Sequence, residues 1–426
     1  MITICFGYGA AFPSAVSLEL KQYYTEEQIS WIVTGPMVSG LFGAMIYSQI
    51  TPRIGPKKAA LVSGVPMVIS SCLQLNIANY WCLIAGRVLG GLAAAGIITA
   101  VPHYITEIAE DSLRGIMGFI MGLVINSGTL LAYGLGGFLS GFYMSVVSAI
   151  VPVVFMVVFF PCPESPIYLL SKGRTDHGTH ILRRLRYPRD ISVELASINS
   201  QTEAQKARWA DLFQRRAARK ALGITLTLCS ITQISGIVPV LSYVGDIFRM
   251  AGGSVDALTG SCIVGVAQIV GTLIAMVLIE RAGRRALMLF SCIAMAISHG
   301  FLGYALMPGS NTPGWFPVTF LTIFIITYTV GTDSVPYIVM NELASPSMRP
   351  MTANIGNFYT GILVFLTTKS FSNLIPLMGI NGIFWMYGTG CALGAVFVFF
   401  MLPETTGRSN ASIQEELEGK KVKQIV

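Results

Sequence analysis

The sequence predicts an all-α membrane protein with twelve transmembrane helices arranged as two six-helix parallel repeats. Hydrophobic residues fill 53% of the 426 positions and charged residues only 12%, whereas soluble domains carry about 25% charged residues. The mean hydropathy is +0.65. Mostly apolar runs of about 20 residues, the length that crosses a bilayer, recur along almost the whole chain. Three motifs recur in register in both halves, and they indicate the repeat.

Apolar runs and the polar breaks between them place the helices. In the first half the predicted helices span 1–18, 30–50, 59–78, 81–105, 115–138 and 141–161. In the second half they span 221–247, 257–279, 287–307, 316–341, 351–374 and 382–402.

This pattern divides the chain into four predicted parts. They are a six-helix bundle over 1–161, a cytosolic linker over 162–220, a second six-helix bundle over 221–402 and a cytosolic tail over 403–426. The linker contains the amphipathic stretches Ile181–Arg186 and Ala204–Leu212, which favour short interfacial helices over disorder.

The basic residues fix the predicted orientation. With both termini in the cytosol, 24 of the 28 Lys and Arg residues lie on the cytosolic side, a bias typical of multi-pass membrane proteins. Lys21 and Arg249 fall outside, and Arg87 and Lys369 lie within helices. Topology therefore explains most of the net charge of +7, and a nucleic acid partner is not expected.

The internal repeat rests on three pairs of motifs, and both members of each pair lie on the same predicted face. The pair Glu107–Arg114 recurs 235 residues later as Glu342–Arg349, both with the spacing E-x6-R. The other pairs are Arg53-Ile-Gly-Pro-Lys-Lys with Arg281-Ala-Gly-Arg-Arg, 228 residues apart, and Pro163-Glu164-Ser165 with Pro403-Glu404-Thr405, 240 apart. Parallel repeats of this kind place a substrate path between the halves.

These motifs resemble those of the sugar porter branch of the major facilitator superfamily across essentially the whole chain. The residues that carry the resemblance are Gly86-Arg87, Pro102-His103-Tyr104 with Glu107 and Arg114-Gly115, Pro163-Glu164-Ser165-Pro166, Gln233-Ile234-Ser235-Gly236-Ile237, Glu280-Arg281-Ala282-Gly283-Arg284-Arg285 and Pro403-Glu404-Thr405. Through Ser30-Trp31 and Thr368-Lys369-Ser370-Phe371 the chain is similar to the facilitated trehalose transporters of insects. The resemblance implies facilitated transport of a sugar such as trehalose or glucose at the plasma membrane.

The resemblance also implies a cytosolic network of ion pairs that latches the two halves in one state of the transport cycle. Carboxylates and guanidinium groups form charge-assisted bonds that suit such a latch. The alternative is that these charges only anchor helix ends. The predicted gate residues are Arg53, Arg87, Glu107, Arg114, Glu164, Glu280, Arg284, Arg285, Glu342, Arg349 and Glu404. Among them Arg87 lies within helix four, and we expect it to pair with Glu107 or another cytosolic-side partner.

A sugar site requires converging amide and hydroxyl groups and an aromatic surface. By motif position, Gln233 and Gln268 match sugar-contacting amides of the resembled family. The full set of predicted substrate-binding residues is Gln233, Gln268, Tyr337, Ser235, Tyr133, Thr232, Thr360 and Asn357. Several replace family residues: Thr232 stands for a Gln, Tyr133 for a Gln and Thr360 for an Asn. The glutamines could instead bond across helices within the bundle. Gly236, Pro239, Gly331 and Pro336 predict discontinuous helices that line a cavity.

Uniport is favoured over proton coupling. Proton symporters of the resembled family carry an Asp in helix one, and the matching residue here is Gly9. Asp333, an acid within helix ten, keeps proton coupling open. No Walker A motif occurs, which argues against ATP-driven pumping.

Neither a cofactor nor a metal is expected. The eight cysteines and four histidines are dispersed, no nucleophile–base constellation appears, and we do not expect an enzyme. The expected partners are a small sugar and the lipid bilayer; a monomer suffices, and the oligomeric state is open. Two alternatives remain: a transport-deficient sugar sensor and a carrier of a non-sugar solute.

Overall fold

The computed structural model describes residues 1–110, 113–186, 191–192, 195, 212, 214–251, 255–345, 347–408 and 410–418, without the side chains of Arg114 and Ala411. Within these ranges the regular structure is helical, without strands, as predicted.

The described part of the first half contains nine helices, of which the second and the eighth are the shortest. They are α1 (Thr3–Ala15), α2 (Ser17–Tyr23), α3 (Glu26–Ile54), α4 (Pro56–Gln74), α5 (Tyr80–Ile108), α6 (Arg114–Gly136), α7 (Gly141–Phe159), α8 (Pro166–Ser171) and α9 (Thr175–Arg186). The predicted amphipathic stretch Ile181–Arg186 forms the end of α9. The other one, Ala204–Leu212, lies outside the described residues except for Leu212.

The second half has the same general plan, with breaks inside its crossings. Its elements are α10 (Arg216–Ile234), α11 (Ile237–Ala251), α12 (Ala257–Leu278), α13 (Arg284–Ala305), α14 (Trp315–Thr327), a π-helical turn (Tyr328–Thr332), α15 (Val335–Leu343), α16 (Arg349–Met401) and α17 (Asn410–Glu418).

Nine helical segments of the described chain are long and apolar enough to cross a membrane. The longest, α16, has 53 residues and turns at Gly379, where φ is +70°. At 1.5 Å per residue it extends about 80 Å, enough for two crossings. Together with α1–α2 and α4, these bounds are consistent with the predicted twelve crossings.

Local sequence explains where several helices begin. Thr25 and Gln28 form a capping box at the start of α3, which satisfies two otherwise unpaired backbone groups. The side chain of Asn79 accepts hydrogen bonds from the first turn of α5, and that of Asp256 accepts one from Thr259 at the start of α12. All three caps precede helices that begin on the predicted outer side.

The breaks in helices seven and ten lie where glycine and proline predict them. The first separates α10 from α11 at Ser235–Gly236, and the second is the π-helical turn before α15. The predicted first helix, 1–18, is also divided, because α1 ends at Ala15 and α2 begins at Ser17. Nothing in the hydropathy pattern indicated that division.

The chain forms two compact units. The first comprises Met1–Phe12 and Leu18–Gln205, and the second comprises Pro13–Ser17 and Lys206–Val426. In the first unit, α3, α4 and α5 pack closely on one another, and α4 also packs on α7. In the second, α16 packs on α10 and α13, and α12 packs on α14 and the π-helical turn.

Candidate functional site

The break between α10 and α11 holds the centre of the predicted substrate site. Gly236 has φ +76°, a conformation that costs other residues about 1–2 kcal/mol. A β-carbon added there would lie 2.3 Å from the ring of Tyr387. Gln233 therefore sits at the end of a helix that must stop at this glycine.

Gln233 and Gln268 are among the buried polar side chains that keep an unsatisfied atom within the described residues. Their side chains are 4% and 5% exposed, and the amide oxygen of each lacks a hydrogen-bond partner within the described chain. An unsatisfied buried acceptor costs about 1–3 kcal/mol. A polar ligand bound in the second unit would supply the missing donors.

The hydroxyl groups beside Gln233 are bonded to backbone. Thr232 Oγ1 lies 3.2 Å from the carbonyl oxygen of Thr332, and Ser235 Oγ donates to the carbonyl oxygen of Thr232 at 2.6 Å. Their predicted role as direct sugar ligands stays a prediction. The bonds seen here give both residues a role in holding the break.

The other four predicted ligands differ in exposure. Tyr133 is 2% exposed and belongs to the first unit, whereas Tyr337 is 39% exposed on α15. Thr360 is buried and Asn357 is exposed, both on α16. Of these four, only Tyr337 and Asn357 are exposed in this structure.

Asp333 follows the π-helical turn directly. Its backbone N–H donates to the carbonyl oxygen of Tyr328 at 2.9 Å, and a side-chain hydrogen bond joins the same two residues. This acid within helix ten is therefore held by a neighbouring phenol.

Arg87 does not pair with Glu107, and that prediction is wrong. Its Nη1 donates to the carbonyl oxygen of Gly9 at 2.8 Å and its Nε to that of Ile32 at 3.2 Å. The physical reason is distance: Arg87 lies near the start of α5 and Glu107 near its end, about 30 Å away at 1.5 Å per residue.

Both carbonyls that Arg87 contacts are left open by proline. In α1 and α3 the residues four positions after Gly9 and Ile32 are Pro13 and Pro36, which have no N–H to donate. The guanidinium supplies the missing donors and also lies over the Phe12 ring. Arg87 thus joins three helices of the first unit.

The repeated motifs that contain Glu164 and Glu404 meet a helix start in the same way in each unit. Glu164 accepts from the backbone N–H of Lys57 at 2.9 Å, at the start of α4. Glu404 accepts from the backbone N–H of Arg284 at 3.0 Å, at the start of α13. In each unit the preceding glycine has positive φ, and an added β-carbon would lie 2.7 Å from the glutamate. The glycines of both motifs therefore make room for a carboxylate cap.

Three predicted gate residues form an ion-pair cluster. The Nη2 atom of Arg284 lies 3.2 Å from a carboxylate oxygen of Glu342 and 3.6 Å from one of Glu280. All three belong to the second unit. The interaction connects the start of α13 with the E-x6-R motif at the end of α15.

The remaining gate residues make other contacts. Glu107 has a side-chain hydrogen bond with Ser165, and Arg285 donates to the carbonyl oxygen of Phe399. Arg349 donates weakly to that of Ala344, at 3.4 Å. The side chain of Arg53 is exposed, and that of Arg114 lies outside the described part of the chain.

Two short helices, α9 and α17, cap carbonyls at the ends of the two E-x6-R helices. Arg186 of α9 donates to Ile108 at the end of α5, at 2.8 Å. Gln414 of α17 donates to Leu343 at the end of α15, at 2.5 Å. Sequence reasoning missed both caps, because a donor far along the chain leaves no local pattern.

The Glu404 cap predicts a pH-dependent stability. Burial opposes ionisation of the Glu404 carboxyl, but hydrogen bonds from Thr406 and from the N–H groups of Arg284 and Arg285 outweigh it and lower the pKa. A carboxyl group whose pKa is lower in the folded state stabilises the fold at pH values above its pKa in the unfolded chain. This stabilisation is lost as the pH falls through the pKa of the folded state.

We therefore expect Glu404→Gln to reduce the melting temperature at pH 7. The difference from wild type should narrow below the ordinary pKa of 4.5. Thermal melting of the purified proteins between pH 7 and pH values below 4.5 measures this difference, with a substitution of the exposed Glu415, Glu415→Gln, as control. A difference that stays constant with pH would contradict the cap.

A family model described as "Sugar (and other) transporter" matches residues 7–417. The chain belongs to this family. The transporter is 30% identical over 426 residues to the facilitated trehalose transporter Tret1 of Bombyx mori, covering 98% of this chain and 84% of the relative. Tret1 of Culex quinquefasciatus is 29% identical over 431 residues, with 97% and 83% covered. The predicted family is confirmed.

Solved structures agree on the fold. The transporter matches the inward-open xylose transporter XylE from E. coli with a TM-score of 0.82 and 20% identity, covering 98% of this chain and 97% of that one. A partially occluded inward-open structure of the same protein gives a TM-score of 0.80 over 96% and 97%. The predicted major facilitator fold is therefore confirmed, and the chain is a multi-pass membrane transporter.

Proposed function

We propose that the chain is a uniporter that carries a sugar, such as trehalose or glucose, by alternating access across the plasma membrane. The observation that carries this proposal is the pair of buried, unsatisfied amide oxygens of Gln233 and Gln268. Sugar hydroxyl groups are donors of the required kind. The relatives named as facilitated trehalose transporters span almost the whole chain and support the choice of substrate.

Passive transport is supported by the surroundings of Gly9. Gly9 has no side chain where symporters of this family are expected to carry a carboxylate, and Arg87 donates to its backbone carbonyl oxygen. The proposal includes cytosolic N- and C-termini. It also places the boundaries between the two bundles, the linker and the tail at residues 161, 220 and 402. A monomer suffices for the mechanism.

Proton-coupled transport is the second candidate, and the hydrogen-bonded pair Tyr328–Asp333 favours it. A carboxylate inside a membrane helix, held by a phenol, can exchange a proton. Under this alternative a proton gradient accelerates uptake, and Asp333→Asn abolishes that acceleration.

Uptake of labelled trehalose and glucose into vesicles, with and without a proton gradient, tests the proposal. We expect saturable uptake at equal initial rates in both conditions. An accelerated rate that Asp333→Asn abolishes would replace uniport with symport. Absence of uptake for both sugars, with correctly inserted protein, would contradict sugar transport.

Removing either amide should weaken sugar binding. We expect Gln233→Ala and Gln268→Ala each to raise the half-saturating sugar concentration about 2- to 10-fold, because a neutral hydrogen bond contributes about 0.5–1.5 kcal/mol. The exposed Gln22→Ala is the matched control for loss of an amide. Unchanged saturation curves for both glutamine variants would exclude them as ligands.

A further inference from the structure

The end of α10 leaves a carbonyl that its own helix does not satisfy. Ser235 is the last residue before the break at Gly236, and Pro239, four residues after it, has no N–H to offer. His299 of α13 fills this position, with Nε2 3.0 Å from the Ser235 carbonyl oxygen. Since a carbonyl can only accept, Nε2 carries the proton.

His299 makes this bond from an otherwise aromatic environment. It is 0% exposed, and its ring contacts those of Phe324, Phe384 and Tyr387. Its other nitrogen, Nδ1, is buried without a hydrogen-bond partner in the described chain. Burying an imidazole with one nitrogen unsatisfied is costly, so the bond to Ser235 is the interaction that distinguishes histidine from an apolar ring here.

The second broken helix shows the same arrangement. Thr332 closes the π-helical turn, and the residue four positions later is Pro336, which again lacks an N–H. Thr232 Oγ1, at the end of α10, lies 3.2 Å from the Thr332 carbonyl oxygen and 3.0 Å from that of Leu228, so its single proton is shared between the two. Thr232 thus connects the two breaks, and it is the residue directly before Gln233.

We propose that His299 and Thr232 are positioning residues that fix the two helix breaks and couple them to each other. His299 holds the carbonyl of Ser235 at the α10–α11 break. Thr232, three residues before Ser235, holds the carbonyl of Thr332 before α15. Gln233 lies between these two attachments, so its backbone, from which the buried amide projects, is held on both sides. This inference rests on the proposed function, because it assigns the two residues to the geometry of the proposed sugar site.

Matched substitutions separate the hydrogen bonds from packing. His299→Met removes the donor, and His299→Gln retains an N–H donor of similar reach. Thr232→Val removes the hydroxyl at nearly constant shape, and Thr232→Ser retains it. We expect the donor-free variants to lower the uptake rate at saturating trehalose about 5- to 100-fold, as for an unsatisfied buried carbonyl. The donor-retaining variants should keep most of the rate.

Pro336→Ala gives a crossed control. It restores an N–H four residues after Thr332, so it should recover most of the rate lost in Thr232→Val and none of that lost in His299→Met. The double variant Thr232→Val with His299→Met should lose clearly less than the product of the two single losses, since both fix the same segment. Independent, multiplying losses would overturn the coupling.

Hydrogen–deuterium exchange of the full-length protein in detergent provides a readout that does not require transport. His299→Met should accelerate exchange at the start of α11, residues 237–243, and His299→Gln should not. Equal exchange in wild type and His299→Met would overturn the role of His299 whether or not trehalose is carried. Faster exchange in His299→Met, together with a wild-type protein that carries no sugar, would support the positioning role and contradict the proposed function.

Discussion

Substituting Arg87 with methionine is expected to lower the free energy of unfolding by about 2–4 kcal/mol and to abolish most transport. The substitution leaves the carbonyls of Gly9 and Ile32 buried without donors, since Pro13 and Pro36 cannot supply them. Each unsatisfied carbonyl costs about 1–3 kcal/mol, and removal of a buried charge offsets part of the total. Thermal melting of the purified protein measures the loss.

Restoring the backbone donors tests this explanation. Adding Pro13→Ala and Pro36→Ala to Arg87→Met returns an N–H to each helix, and we expect at least half of the lost stability to return. Arg53→Met is the control, because this arginine is exposed at the end of α3. If the two alanines give no recovery, Arg87 acts through its charge and not through the two carbonyls.

Replacing Gly236 with alanine is expected to destabilise the protein by roughly 2–5 kcal/mol and to slow transport strongly. The positive φ of +76° contributes about 1–2 kcal/mol. The new β-carbon, 2.3 Å from Tyr387, adds about 1–3 kcal/mol for overpacking. The Tyr387 ring cannot retreat freely, because His299 lies beside it.

Two further variants divide the Gly236 effect into its parts. Gly236→Ala combined with Tyr387→Leu removes the close contact, so only the conformational cost should remain, measured against Tyr387→Leu alone. Gly223→Ala, in α10 with open space around its β-carbon position, should be neutral or slightly stabilising. If both substitutions lowered the stability by a similar amount, glycine replacement in this region would be harmful in general.

The membrane-crossing helices were predictable because an apolar run inside hydrocarbon must satisfy its own backbone hydrogen bonds, which a helix does. The breaks in helices seven and ten followed from Gly236, Pro239, Gly331 and Pro336. The division of the first helix at Val16 did not, because no glycine lies at that point and Pro13 is accommodated within α1. Hydropathy measures how apolar a segment is, and it does not show where a helix lacks a backbone hydrogen bond.

The candidate site was predictable in its residues more than in their partners. Proline positions alone show that the carbonyls of Gly9, Ile32 and Thr332 lack local donors. The donors Arg87 and Thr232, however, come from other helices, and only the fold brings them close. The same limit explains why Arg87 was expected beside Glu107, and why the buried His299 was set aside as one of four dispersed histidines.

Countertransport of labelled trehalose in reconstituted vesicles tests the central claim most directly. In vesicles preloaded with unlabelled trehalose and held without ion gradients, the account predicts that external labelled trehalose accumulates transiently above its equilibrium level. A protonophore should not change that overshoot, and Gln233→Ala with Gln268→Ala should reduce it. Wild-type protein that is correctly inserted yet shows no overshoot with trehalose or glucose would contradict an alternating-access sugar uniporter.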